Sequence, residues 1–568
     1  MRTTGAGGET NPSARASVAQ NRDIHPTTLA EGSGLVVVSN RQPYRHEYDE
    51  NGSIAVDRPT GGLTAAIDPV LQHVGGTWVA WGDGAADREV VDDDACISVP
   101  PSDPAYMLSR IWLDDDEVDA YYRGFSNRVL WPLCHGFEDL VQDRPGDYEG
   151  YRRVNERVAD RVIEHVDGET LVWLQDYHFA LAPQWIGPST PDSTTVGHFW
   201  HIPWPTPGTF DRCPRAAAIV EGLLGNDLLS FHLDTYVDRF LTCADRLPAT
   251  TVDRDAKTVT YREHTTHVTS TPIGIDTDRH ARLSRSFDTV SDGTDPTGGS
   301  IQSSGSAQSS GSIQSSGSIR MNSGDRFGRT GVDTDEIIGR LDELGLEVPP
   351  TTYLGLGVDR LDYTKGILER IQGIERCFER YPHLVESLTF VQAATPSRTG
   401  IEAYDTYGEQ VRRAIDHAND RFRTDAWRPI VYSEDHIPLE TLCGLYRLAD
   451  FLLVTSHSDG MNLVAKEYVA ASVDDTGALC ISPGAGVHDQ LGDVAFTVEP
   501  TDADDIATTI DDVITTPDAE KRRRMRICRA RVLQYDIGWW MDRQFELLSN
   551  VGDDPSIRPS TTISADRA

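Results

Sequence analysis

Lysine is the scarcest charged residue in this 568-residue chain. Of 52 basic side chains only Lys257, Lys365, Lys466 and Lys521 are lysines, against 89 acidic ones. The net charge of −37 repels nucleic acid and anionic membrane surfaces, and it repels itself at low salt. An acidic, lysine-poor composition fits a protein adapted to molar salt, where screening removes that repulsion. Long apolar runs are missing as well. No stretch of about 18 apolar residues occurs, so no membrane-spanning helix is expected. Residues 1–32 are rich in Gly, Thr, Ser and Ala and have no apolar h-region, so a disordered tail on a cytoplasmic protein is expected, not a secretory signal. The eight cysteines are scattered without a Cys-x-x-Cys pair, and His178 and His201 have no neighbours of ligand type. Neither a disulfide framework nor a metal site is signalled.

What is present is a double series of short apolar runs alternating with helical spacing. The first series has strand candidates at 35–39, 171–174, 195–200, 227–231 and 268–273. A Ser/Gly-rich block of near-repeats follows at 284–331 and is expected to be a flexible insert, because it holds too little apolar surface to fold. The second series has candidates at 353–358, 388–392, 430–432, 451–455, 478–482 and 495–498, with helices over 366–381 and 407–421. Strand–helix alternation on both sides of a linker predicts an α/β protein of two facing, doubly wound Rossmann-like domains, at 33–283 and 332–550. The last helix opens at Asp536 and is expected to cross back, and 551–568 reads as a polar tail. Ligands then belong in the cleft, at the carboxyl ends of the strands.

Two stretches carry the chemistry: Arg360-Leu361-Asp362-Tyr363-Thr364-Lys365-Gly366 and Asp459-Gly460-Met461-Asn462-Leu463-Val464-Ala465-Lys466-Glu467. Each follows a buried strand and places charge in a turn before a helix, where fixed cations and helix N-termini suit a diphosphate. Two of the four lysines lie here, so surface solubility is a poor account of them. Other blocks are Val36-Val37-Val38-Ser39-Asn40-Arg41 followed by Gly61-Gly62, an aromatic run at 121–132, Gln175-Asp176-Tyr177-His178, and Phe199-Trp200-His201-Ile202-Pro203. Taken singly these have bland readings: a core aromatic, a helix N-cap, a satisfied histidine.

Their order resembles the trehalose-6-phosphate synthase family, retaining glucosyltransferases of the two-domain GT-B arrangement, over about residues 35–545. The resemblance implies transfer of glucose from a nucleoside diphosphate glucose to glucose 6-phosphate, with no metal or other cofactor. It places Arg41, Trp81, Tyr122, Trp131, Asp176 and Arg398 at the acceptor. The donor falls to Gly62, His201, Arg360, Lys365, Asp459, Gly460, Met461, Asn462, Leu463 and Glu467, with Glu467 on the ribose about two helical turns beyond Asp459. Arg360, Lys365, Asp176, His201 and Asp459 carry the chemistry, by a front-face route in which the leaving phosphate takes the acceptor's proton. Lys466 points away and is structural. A homo-oligomer is implied by the family alone. Two departures stand out: Cys134-His135 where Phe-His is usual, and Gln175 where His is usual. A synthase using glycerol 3-phosphate, a sugar-nucleotide epimerase and a silent sugar-phosphate sensor are the competing readings.

Overall fold

The computed structural model describes residues 34–58, 62–289 and 331–552. The expected tail at 1–32 and most of the insert lie outside these residues, as do 553–568.

Two large sheets organise the chain, the first with antiparallel pairs at its edges. From one edge to the other, the first contains Thr250–Asp253, Thr258–Tyr261, His264–Ser270, Leu228–Phe231, Thr194–Phe199, Thr170–Gln175, Gly34–Ser39, Thr77–Trp81, Tyr106–Ile111 and Cys96–Val99. Its centre is parallel: Val37 registers with Trp173 on one side and Trp78 on the other. Such strands are covered on both faces and read as unbroken apolar runs, which is why Leu35–Val38 are all buried. The chain first builds outward from Gly34–Ser39 through Thr77–Trp81 and then returns to build the other way from Thr170–Gln175. The switch point lies between these strands, where Asn40, Arg41 and Asp176 emerge.

The second sheet runs Ile430–Ser433, Leu388–Pro396, Tyr353–Leu361, Phe451–Val454, Ala478–Ile481 and Phe496–Thr497, all parallel. Its switch point lies between Tyr353–Leu361 and Phe451–Val454. The turns that leave these two strands carry Lys365 and Asp459. Open α/β sheets leave a crevice at such points, so both sheets direct their chemistry-bearing turns to one place.

The structure moves several sequence-based boundaries. The strands Thr77–Trp81, Tyr106–Ile111 and Cys96–Val99 have short or broken apolar patterns and were not anticipated, and the strand expected at 268–273 is His264–Ser270. The boundary expected at 283 falls inside the helix Thr277–Arg285. That helix belongs with the second sheet's helices: Ser284 is buried, donates to the carbonyl of Ala471 at 2.6 Å, and its own carbonyl accepts from Arg447. The low-complexity composition therefore begins inside a folded helix, and the described chain continues to residue 289.

The last helix, Ile537–Gly552, packs on the first sheet. Trp540 sits 5.4 Å from Trp173 and 5.1 Å from Phe199 between ring centroids. Leu548 fills the space a side chain at Gly197 would need, since a Cβ there would lie 2.2 Å away. The chain thus crosses between the sheets twice, at 271–276 and 535–537, and the backbones of Gly274 and Asp536 touch where it does.

Candidate active site

Three residues of the cleft hold backbone conformations that L-residues with side chains rarely adopt. Asp176 has φ 71° and ψ 174°, Arg398 has φ 49° and Asn462 has φ 75°. Strain of this kind persists only where the surroundings impose it; Asp176 and Arg398 follow strand ends, and Asn462 caps the helix Leu463–Ala471.

On the second domain's lip, the turn after Phe451–Val454 folds back so that the Asp459 carboxylate meets the Lys365 ammonium in a tight ion pair. Asn462 Nδ2 donates to the same carboxylate at 3.1 Å, while Asn462 Oδ1 caps the helix Leu463–Ala471 by accepting from the Ala465 N–H at 3.0 Å. Burial opposes ionisation of Asp459, but Lys365 outweighs it and holds the carboxyl below its usual range. Glu467 lies one helical turn beyond Leu463, not two turns beyond Asp459, because residues 459–462 are a turn and not helix. It accepts from the Tyr446 hydroxyl at 3.0 Å.

Arginines form the second cluster. The Arg398 guanidinium lies 3.6 Å above the Trp131 ring and Arg360 lies 5.5 Å from the same ring. Arg398 pairs with Asp362 at 2.9 Å, and it also donates across the cleft to Asn127 Oδ1. Burial and then the charges of Arg398 and Arg41 press the Arg360 pKa down. Asp362 is fully buried, yet Arg398, Arg360 and Lys365 keep its carboxyl below the usual range. Several guanidiniums around one carboxylate leave excess positive charge, which suits a phosphate.

The first domain's lip is aromatic. Tyr122 stacks on His178 with ring centroids 5.9 Å apart and tilts against Trp81 at 6.0 Å. It rides on Val118–Leu130, a wide-turned π-helix broken at Gly124, a form frequent at functional sites. Trp131 is buried, and its indole N–H has no partner among the described residues. His178 is buried with neither ring nitrogen bonded, and burial, then Arg398 and Arg41, drives its pKa well down. Asp176 accepts from the Tyr177 N–H at 2.9 Å and the His201 N–H at 3.3 Å. Burial raises its pKa to about 6, with those bonds, Arg398 and Arg360 opposing. Gln175 Oε1 bonds His201 Nε2 at 2.9 Å.

The two lips also meet away from the Trp131 ring. The Gly460 backbone packs so closely on the His201 carbonyl that a Cβ would lie 1.9 Å from it. Tyr236 donates to the Asp459 carbonyl at 3.4 Å, Arg398 bonds Asn127, and Phe137 packs edge-on against Tyr363 with ring centroids 5.0 Å apart.

The anticipated residues are therefore largely gathered around one cleft: Trp81, Tyr122, Trp131, Asp176 and His201 from the first domain, Arg360, Lys365, Arg398, Asp459 and Asn462 from the second. Gly460 and Met461 are buried behind them, and Leu463 opens the donor-side helix. Arg41 follows the strand Gly34–Ser39 and is exposed, with its carbonyl accepting from Ser39 Oγ. Gly62 begins the helix Gly62–Val74, and Gly61 lies outside the described residues. Glu467 is tied to Tyr446. Lys466 is buried beneath the site and donates to the Ile273 carbonyl at 2.6 Å, with burial lowering its pKa to about 7.

Sequence reasoning passed over Asn127, Tyr177 and Asp362. Tyr177 donates to Asn127 Oδ1 at 2.9 Å and lies 3.5 Å from Arg398, so the three together orient that arginine. The signal for them was their place in the motif blocks: Tyr177 and Asp362 follow strand ends, and Asn127 lies in the aromatic run on the helix Val118–Leu130. Among the described residues no group of three His, Cys, Asp or Glu side chains could hold a metal ion, and no helix is long and apolar enough to cross a membrane.

Two doubly wound domains, with a cation-rich lip facing an aromatic one at their switch points, define a glycosyltransferase of the GT-B arrangement. The chain belongs to glycosyltransferase family 20, whose family model matches residues 33–291 and 328–550. A trehalose-6-phosphate synthase of Mycolicibacterium smegmatis is 32% identical over 527 residues, covering 93% of this chain and 94% of that protein. One from Mycobacterium sp. (strain KMS) is 33% identical over 518 residues, covering 89% and 93%. Among solved structures, an α,α-trehalose-phosphate synthase (UDP-forming) from Burkholderia xenovorans in complex with glucose-6-phosphate matches with a TM-score of 0.72. It is 27% identical and covers 91% of this chain and 100% of that one. A structure from E. coli bound with UDP-2-fluoro glucose also gives 0.72, at 28% identity, covering 92% and 99%.

Proposed function

We propose that this chain transfers glucose, with retention, from a nucleoside diphosphate glucose to the anomeric hydroxyl of glucose 6-phosphate, forming trehalose 6-phosphate and the nucleoside diphosphate. The observation that carries this reading is the grouping of cations at two places in the cleft. Lys365 and Arg360 stand where a diphosphate would leave, and Arg398 and Arg41 stand where a sugar phosphate would sit. In the step, the bond from the anomeric carbon to the phosphate oxygen breaks and a bond to the acceptor oxygen forms. The acceptor's proton passes to the departing phosphate. Negative charge grows on that phosphate, and preorganised cations in a dry cleft lower the barrier without a divalent metal. Asp459, ionised and fixed by Lys365, accepts from hydroxyls of the transferred sugar. Asp176 and His201 border the reacting centre, and Trp81, Tyr122 and Trp131 wall the acceptor. The compartment we assign is the cytoplasm.

A coupled assay of nucleoside diphosphate release in about 2–3 M KCl, chosen to screen the acidic surface, tests this. UDP-, GDP- and ADP-glucose are each offered with glucose 6-phosphate and, separately, with glycerol 3-phosphate. Release that depends on glucose 6-phosphate, with trehalose 6-phosphate as product, supports the reading and names the donor base. Release with glycerol 3-phosphate alone assigns the sister reaction. No release with either, from a folded sample, leaves a regulatory sugar-phosphate sensor as the better account.

A further inference from the structure

The end of the strand Thr170–Gln175 grips residue 201 twice. Asp176 takes the His201 backbone N–H, and Gln175 takes its ring. From the other domain, Gly460 closes on the His201 carbonyl. Gln175 is fully buried, and its own Nε2 has no partner among the described residues, so a carboxamide sits here at the expense of an unsatisfied N–H. Such an arrangement needs a reason, and the ring supplies it. An imidazole has two nitrogens, and the partner of one decides what the other can do. A carbonyl facing Nε2 requires a proton on Nε2, which leaves Nδ1 as a lone pair. Burial, with His232 and His198 alongside, keeps the ring neutral.

We propose that Gln175 is a positioning residue that fixes His201 in the Nε2–H tautomer, so that Nδ1 accepts a hydrogen bond from a hydroxyl of the transferred sugar. This rests on the placement of His201 beside the donor sugar given above. With its Oε1 turned to the ring, Gln175 accepts from Nε2–H and so favours that tautomer. A non-bonding side chain would leave both populated and lower the fraction of enzyme ready to bind.

The test uses the full chain in molar KCl, labelled with 15N-histidine, with the His201 signals identified by their loss in His201→Asn. The expected spectrum shows a protonated Nε2 and an unprotonated Nδ1. Gln175→Met, which keeps the length but removes the acceptor, is expected to mix the tautomers and raise KM for the nucleoside diphosphate glucose about three- to tenfold, the range of one hydrogen bond, with a smaller change in kcat. Gln175→His, which can again accept from Nε2–H, is expected to recover most of the loss. Thermal unfolding of each variant confirms that it is folded. A proton on Nδ1 in the unaltered enzyme, or a folded Gln175→Met with unchanged tautomer and KM, overturns the proposal. If His201→Asn itself leaves donor KM unchanged, the placement of His201 fails, and the spectrum still shows separately whether Gln175 fixes the ring.

Discussion

Asp176 and Asp459 are both carboxylates at strand ends on the same cleft, and their surroundings push them in opposite directions. Asp459 touches an ammonium and is held ionised. For Asp176 burial prevails over two backbone N–H bonds and the charges of Arg398 and Arg360, and its pKa rises to about 6. The same contrast runs through the whole lips. The second domain offers fixed charge: Lys365, Arg360, Arg398 and their carboxylate partners. The first offers aromatic walls, neutral histidines and one reluctant acid. A group transfer needs both kinds of surface, because the leaving phosphate gathers charge while the sugar ring of the acceptor must be oriented by packing and hydrogen bonds.

The largest way to break the comparison is to remove the charge. Lys365→Ala is expected to lower kcat/KM about a thousandfold, the upper range for loss of one transition-state donor, as read by nucleoside diphosphate release. It also strands Asp459, so the variant should melt earlier than the unaltered protein. Next comes closure of the lips. Gly460→Ala sets a methyl against the His201 carbonyl, and displacing one lip by about 1 Å is expected to reduce turnover about a hundredfold.

The carboxylates themselves sharpen the contrast through pH. For Asp459 the folded pKa lies below its ordinary value, so its contribution to stability is present above that ordinary value and lost as pH falls through the folded one. Asp459→Asn should therefore destabilise the protein at neutral pH. For Asp176 the folded pKa is raised, so the folded form binds the extra proton and stability declines as pH climbs from about 4 to about 6. Asp176→Asn should melt later at neutral pH while losing activity. Thermal unfolding of the pair across pH 4–8 checks both signs, and equal shifts of one sign would refute the assignment.

The smallest effect is expected far from the cleft. The Thr289 N–H donates to the Gly331 carbonyl at 3.1 Å, and Asp288 bridges to Val332. The two ends of the Ser/Gly-rich block are thus already joined, and shortening a closed loop changes little. Deleting residues 290–325 should leave turnover within about twofold.

Much of this architecture is readable in the chain because parallel strands buried on both faces must be continuous apolar runs, and residues 35–38, 171–174 and 451–454 are. The motifs are equally local: a strand, a turn and a helix start within about ten residues place Lys365 and Asp459 near their strand ends. Strands such as Thr77–Trp81 were illegible because Trp-Val-Ala-Trp is too short to separate from a helix turn. The helix Thr277–Arg285 looked like the first domain's last element because its packing partner, the helix Leu463–Ala471, is distant in sequence.

The sequence alone determined the two-domain α/β class, the acidic surface and the identity of the charged turns, since these follow from composition and short-range pattern. Only the tertiary structure decided that Asp459 closes on Lys365 across 94 residues, that Arg398 reaches Asn127 across 271, and that Asp176 is pushed up while Asp459 is held down. Ionisation depends on the charges and solvent within a few ångströms of a group, and those neighbours come from parts of the chain that only folding brings together.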